Sequence, residues 1–283
     1  MTLAAAPVAW SKSQISALRE CKRKHFFQRS DQYSALKKLK NRFLWTGSIV
    51  HETIGQLLKE LRQGQPVPPI ETFIQSARER MRSEFKSSLK SSEAGPRLFE
   101  HEYNHVVSSE VWQSQWNGVE RSLRRFLESA WLDRLSKIGP ECWKAVDEVL
   151  SFDVDGIKAF VKIDCGIEVN SEFFIMDWKG SAIRPTDEAS LLVAALYAHE
   201  VWGADPRAIS AVAISLVDGK TLKAEINEES LMETFLKIQE EAALLESETL
   251  KKDSDPFSVP AASLNTCERC NFQRICHPAG LGL

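Results

Sequence analysis

Three side chains in this 283-residue sequence fall at spacings that let them act together. Asp164 lies in the run Phe160-Val-Lys-Ile-Asp164-Cys-Gly-Ile, and Asp177 and Lys179 lie in Phe173-Phe-Ile-Met-Asp177-Trp-Lys179. Both runs have the β-branched and aromatic character of strands, and the short interval between them suits an antiparallel hairpin. In the first run Ile157, Ala159, Val161, Ile163, Cys165 and Ile167 take the odd positions, so Asp164 projects from the opposite face. A turn centred on Asn170-Ser171 sets Asp164 across from Asp177, with Cβ atoms about 4.5–5.5 Å apart. Like charges in that arrangement destabilise a sheet unless something neutralises them. A divalent cation does so, since Mg²⁺ is held by one or two carboxylates together with waters and phosphate oxygens. Lys179, two residues past Asp177, shares its face and can orient an attacking water or stabilise charge developing on a phosphate. The chemistry these residues imply is metal-assisted hydrolysis of a phosphodiester.

A second constellation is Cys267-Glu-Arg-Cys270-Asn-Phe-Gln-Arg-Ile-Cys276, with Cys21 as a distant fourth ligand and His277 as a spare one. Thiolates at such spacing suit zinc or an iron–sulfur cluster, and four cysteines satisfy either. The sequence has no charged start followed by an apolar run and no stretch of about 18 uncharged apolar residues, which predicts a cytoplasmic protein with no membrane segment. In that reducing compartment cysteines serve metals or catalysis rather than disulfides. Cys142 and Cys165 have no partner at ligand spacing and are expected in the core.

The elements that must hold these residues follow from periodicity and punctuation. A helix is expected over Gln14 to Gln28, capped by Ser13, with Ile15, Leu18 and Cys21 on one face. Another is expected from Gly47 to Leu61, with Val50, Ile54, Leu57 and Leu61 as its stripe, ended by Gly64 and Pro66, Pro68 and Pro69. Residues 70–136 read as helical throughout. Strand-like runs then cover Val146 to Phe152, Ile157 to Ile167, Phe173 to Trp178, Ala208 to Leu216 and Thr221 to Ile226, the last two joined at Asp218-Gly219. A helix over Asp187 to Val201 interrupts them, and Asn227 caps a long helix to Lys251. This predicts one domain over 1–283, comprising N-terminal helices at 11–62, a helical insertion at 65–140, an α/β core at 146–252 and a cysteine tail at 254–283.

In chain order, His51, Asp164 and Asp177-Trp178-Lys179 resemble the signature of the PD-(D/E)XK nucleases. Gly47-Ser-Ile-Val-His51 is similar to the glycine-to-histidine motif of their RecB-like branch. The resemblance spans about residues 11–278 and implies an α/β fold with a central mixed sheet of the restriction-endonuclease-like type, flanked by helices. It implies a DNA nuclease, exonuclease before endonuclease, acting on single-stranded or end-containing DNA in repair, recombination or defence. His51, Asp164 and Asp177 would bind Mg²⁺ or Mn²⁺, and Lys179 would assist the attacking water. Glu148 falls where the branch often has an acidic residue. The branch also carries a Gln-x-x-x-Tyr motif on the following helix; here Tyr197 matches and Val193 stands in place of the glutamine. The cysteine arrangement resembles that of iron–sulfur RecB-like nucleases, including CRISPR-associated ones and the nuclease domain of AddB-type helicase–nucleases. It therefore implies a [4Fe–4S] cluster on Cys21, Cys267, Cys270 and Cys276, stapling the N- and C-terminal segments, with a helicase or a CRISPR or defence protein as partner.

Net charge is −3, with a pI near 6.1, which gives no general attraction to nucleic acid. Residues 19–42, however, hold nine Lys and Arg against two acids, enough to grip a phosphate backbone through residues such as Lys22, Arg23 and Lys24; a solvated helix face is the plainer reading of such a run. Gly219-Lys220-Thr221 lacks the upstream glycine of a P-loop, and no G-x-S-x-G, H-E-x-x-H or G-x-G-x-x-G occurs. The alternative from another class is a non-catalytic DNA-binding or scaffold module of a helicase or CRISPR-type assembly.

Overall fold

The computed structural model describes residues 9–90, 96–249, 257 and 262–276. His277 and the expected helix end at Lys251 lie outside these residues. Strand β1 (Trp10–Ser11) leads into α1 (Lys12–Glu20), whose cap is Ser11 rather than Ser13, its Oγ accepting from Gln14 N. Cys21 then takes extended backbone (φ −164°, ψ 118°) before α2 (Lys22–Arg29). The one helix expected over Gln14 to Gln28 is thus two. Cys21 is neither Gly nor Pro, so no local breaker announces the interruption.

The short α3 (Ser34–Lys37) precedes α4 (Arg42–Arg62). Asn41 caps α4, Oδ1 accepting from the N–H groups of Phe43 and Leu44, so the helix starts five residues before Gly47. Next come α5 (Ile70–Leu89), α6 (Phe99–Glu102), α7 (Ser109–Leu127) and α8 (Ala130–Leu135). The strands β2 (Trp143–Val154), β3 (Ile157–Val169) and β4 (Glu172–Lys179) follow, then α9 (Glu188–Trp202), β5 (Ile209–Ser215), β6 (Thr221–Lys223), α10 (Glu228–Thr249) and α11 (Leu264–Cys267). Asn227 caps α10 as expected, accepting from Ser230 N.

The chain divides into two compact units, one of residues 1–39, 151–160 and 235–283, the other of residues 40–150 and 161–234. In the second unit β3 pairs antiparallel with β4, β4 parallel with β5, and β5 antiparallel with β6, while β2 lies against β3. The β3–β4 turn is Asn170-Ser171, both at positive φ (52° and 63°), the type I′ geometry whose twist matches a two-residue hairpin. The register runs from Val169↔Glu172 to Cys165↔Met176. Helix α9 carries the chain from β4 to its parallel neighbour β5, the βαβ connection.

Helices α5 and α7, expected as an insertion, share one core with α4 and the strands. Ile49 and Leu58 of α4, Ala77 of α5 and Leu123 and Phe126 of α7 pack in a single cluster with Cys165, Met176, Trp178 and Ile214. The Phe126 ring meets Trp178 edge-on at 4.9 Å. Trp116, Val119, Leu123 and Phe126 recur at helical spacing, and that stripe requires a buried face. Cys165 is fully buried as expected, but Cys142 is only half-buried, on a 3₁₀ turn beside Glu141.

In the first unit β1 pairs parallel with the start of β3 through Trp10↔Ala159. Trp10 Nε1 donates to Glu241 Oε2 on α10 at 2.9 Å, and Arg19 pairs with the same carboxylate at 3.0 Å. The segment after α11 is held by Phe272, whose ring packs on Phe27 at 5.5 Å, and by Asn271, which donates to Leu39 O. Among the described residues no helix is long and apolar enough to cross a membrane.

Candidate active site

The candidate site lies in the second unit, where β3 and β4 part. The ladder stops at Cys165↔Met176, one pair short of Asp164 and Asp177. There the Asp164 side chain replaces the backbone partner: Trp178 N donates to Asp164 Oδ2 at 3.1 Å. Hairpin parity thus brings both carboxylates to one place, as expected, though not as a ladder pair.

Asp164 is 7% exposed. His51, on α4, brings Nδ1 to 3.0 Å from Asp164 Oδ2, although this buried nitrogen lacks the alignment of a hydrogen bond. Burial alone would raise the Asp164 pKa, but His51, Lys162 and the Trp178 N–H stabilise the carboxylate and hold it at about 2. For Asp177, burial together with the Asp164 charge pushes the pKa up to about 6, despite Lys179. Burial works to lower the His51 pKa, but the Asp164 carboxylate outweighs it and the net shift is upward.

Lys179 Nζ is 2.6 Å from Asp177 Oδ2 and 3.9 Å from Asp187 Oδ1. Asp187, 4% exposed, also accepts from Arg184 N through Oδ2, so the lysine is held between two carboxylates. Sequence reasoning missed Asp187, which reads there only as a helix start. It also missed Lys162, whose Nζ is 3.6 Å from Asp164 Oδ1 and 2.9 Å from Asp147 Oδ1; the signal was its parity with Asp164.

Glu148 is not part of this group; it pairs with Arg62 at 3.3 Å and accepts from Val146 N. Tyr197 is buried on α9, its ring edge-on to Trp202 at 5.4 Å. The basic run at 19–42 is largely neutralised within the protein. Lys22 pairs with Glu248, Lys24 with Glu20 and Lys37 with Asp31, while Arg23 is only 4% exposed.

Among the described residues no three His, Cys, Asp or Glu groups are gathered tightly enough to cage a metal ion. The Asp164–Asp177 pair still fits Mg²⁺ or Mn²⁺. Burial first, and then the charge of Asp164, drive Asp177 toward protonation, and a ring nitrogen beside the pair is left without a hydrogen bond. Two carboxylates are all that Mg²⁺ requires when waters and phosphate oxygens complete its shell.

All four cysteines of the second constellation lie in the first unit, and all are half-buried thiols. Cys21 is the extended residue between α1 and α2. Burial first, then the charges of Cys21 and Cys276, raise the Cys267 pKa; at Cys270 burial pushes it to about 11, the same two charges adding to it. Arg23 donates to Cys276 Sγ at 3.8 Å, a guanidinium suited to a negatively charged thiolate assembly.

A model of the PD-(D/E)XK nuclease superfamily matches residues 9–277. No curated protein matches in sequence. Among solved structures, the chain is similar to SSO0001, with 16% identity over 65% of this chain and 80% of that one, at a TM-score of 0.31. It is also similar to a candidate exonuclease from Eubacterium rectale, with 9% identity over 95% of each chain, at a TM-score of 0.38. The sequence match runs through α4, the β3–β4 hairpin and the cysteine tail, and on that extent the chain belongs to the PD-(D/E)XK nuclease superfamily.

Proposed function

We propose that this protein hydrolyses DNA phosphodiester bonds with Mg²⁺ or Mn²⁺, acting from strand ends, in the manner of the RecB-like branch. The observation that carries the reading is the buried pair of Asp164, at about 2, and Asp177, at about 6, with His51 on one side and Lys179 on the other. A bound divalent cation supplies a more acidic water and neutralises charge on the phosphate. Asp164 and Asp177 would hold it, and His51 would complete the ligand set. Lys179, fixed between Asp177 and Asp187, would orient the attacking water and stabilise the developing charge. The preference for ends over internal sites rests on the resemblance of the His51 motif to the RecB-like branch.

At the cysteines we infer a [4Fe–4S] cluster, supported by the resemblance of their spacing and by the electrostatic influence of Cys21 and Cys276 on Cys267 and Cys270 beside Arg23. A zinc ion is the competing occupant, and anaerobic purification separates the two by brown colour and iron content. A helicase or defence assembly is the partner this branch suggests.

The test is Lys179→Ala. Cleavage of end-labelled DNA is expected to fall by a factor of about 10² or more, while DNA binding and the thermal midpoint stay near wild type. Metal-dependent cleavage retained in this variant would overturn the assignment. Absence of cleavage by the native protein on single- and double-stranded DNA would favour the scaffold role.

A further inference from the structure

We propose that Lys162, braced by Asp147, is a second phosphate-binding ammonium of this site, donating to the DNA backbone beside Asp164. The inference rests on the nuclease reading above and extends it to residues outside its signature.

Lys162 precedes Asp164 by two residues on β3, so both project from the same face. Its Nζ lies 2.9 Å from Asp147 Oδ1 and 3.6 Å from Asp164 Oδ1, and its side chain is 47% exposed. The two strands thus carry mirrored pairs, Lys162-x-Asp164 on β3 and Asp177-x-Lys179 on β4.

Asp147 is held in place with unusual care. It sits within β2 at φ 49°, a left-handed conformation that non-glycine residues rarely adopt and that gathers at functional sites. Helix α4 makes room for it at Gly55, where an added Cβ would stand 2.8 Å from Asp147 Cβ and 2.9 Å from Oδ2. Lys59, one turn further on, approaches Asp147 Oδ2 at 3.6 Å. His51, Gly55 and Lys59 recur every four residues, so one stripe of α4 faces both Asp164 and Asp147.

The charges explain why the ammonium would take a phosphate. In the metal-free site Lys162 is one of the cations facing Asp164. A divalent cation held by Asp164 would cancel that attraction and repel the ammonium. Asp147 then retains Nζ at the site, and an ammonium has three donors, of which one bond to Asp147 leaves others for an oxyanion. Lys162 is exposed enough to offer them.

The experiment uses the full chain carrying Lys179→Ala, so that DNA stays intact in Mn²⁺, and reads DNA affinity against salt. Adding Lys162→Ala is expected to weaken binding about tenfold and to reduce the slope of log K against log salt by about 0.7–0.9, one phosphate contact. Lys162→Arg should restore most of both. Lys137→Ala, an exposed lysine paired with Asp133, should change neither. Mn²⁺ affinity measured by calorimetry should not fall in Lys162→Ala or Lys162→Met, since the lost ammonium repelled the metal, and should stay within about twofold of the parent in Lys162→Arg, which keeps the charge. Lys162→Met, which keeps the aliphatic stem, replaces the alanine variant if that fails to fold.

An unchanged salt slope in protein that otherwise binds DNA overturns the role of Lys162 alone. So does a loss of Mn²⁺ affinity parallel to the loss of DNA, which would mean that Lys162 acts through Asp164. If the Lys179→Ala parent shows no salt-dependent DNA binding at all, the nuclease reading falls, and this inference with it.

Discussion

On the metal-dependent reading proposed above, Asp177 is the residue on which a proton and a cation would compete. Its pKa, pushed up to about 6 by burial and Asp164, lies above the ordinary carboxylate value, so below about pH 6 it carries a proton that an incoming cation must displace. Apparent Mn²⁺ affinity is therefore expected to fall as pH drops through about 6, by more than about tenfold per unit because His51, whose pKa is also raised, must shed a proton to serve as a ligand. It levels off only once both groups are deprotonated. Calorimetric titrations from pH 5 to 8 would show this, and a flat profile would mean that Asp177 is ionised throughout. Asp164, held at about 2, contributes no change in that window. These two acids and Lys179 were legible in the sequence because side-chain parity in a hairpin has only two settings. His51 needed the resemblance, since a lone histidine sharing a face with Ile54 and Leu58 reads more readily as core. Asp147 was not legible at all. A single left-handed residue interrupts the alternation of β2, and no pattern of residue types announces it.

At the level of elements, α4 is the part that aligns the site. It carries His51 toward Asp164 and lies against β2 at Gly55, where there is no room for a side chain. Gly55→Ala is expected to destabilise the fold. Overpacking costs about 1–3 kcal/mol, offset in part by about 1 kcal/mol of added helix propensity. A denaturant midpoint equal to or above wild type would show that Asp147 yields more easily than its contacts suggest. The strands were largely readable, with β3, β4 and β5 within two residues of expectation at each end, because alternation and turn residues agree there. The break at Cys21 was not, since Ile15, Leu18 and Cys21 keep helical spacing across it. Helices α5 and α7 were found, but the core they share with α4 and the strands was not. Their apolar stripes demand burial without saying against what.

Across the whole molecule, the cysteines and the acidic site lie in different compact units. Cys21 and the tail cysteines are about 250 residues apart in sequence, and a group that ties them together closes a loop of that length, which constrains the unfolded chain. On the iron–sulfur reading proposed above, Cys270→Ser is therefore expected to lose iron and to lower the thermal midpoint. Limited proteolysis should then open the segments 1–39 and 235–283 first; cuts beginning within 40–150 would argue against the cysteines as a tie for their own unit. The Asn170-Ser171 turn carries a consequence for how this chain can vary. Loops elsewhere can gain or lose a residue at little cost in chemistry, but this one sets the phase of a strand. One residue inserted there must be taken up as a wider loop, for if the strand slipped by one instead, Asp177 and Lys179 would turn toward the opposite side of the sheet, silencing the site while every residue of its signature remained in the sequence.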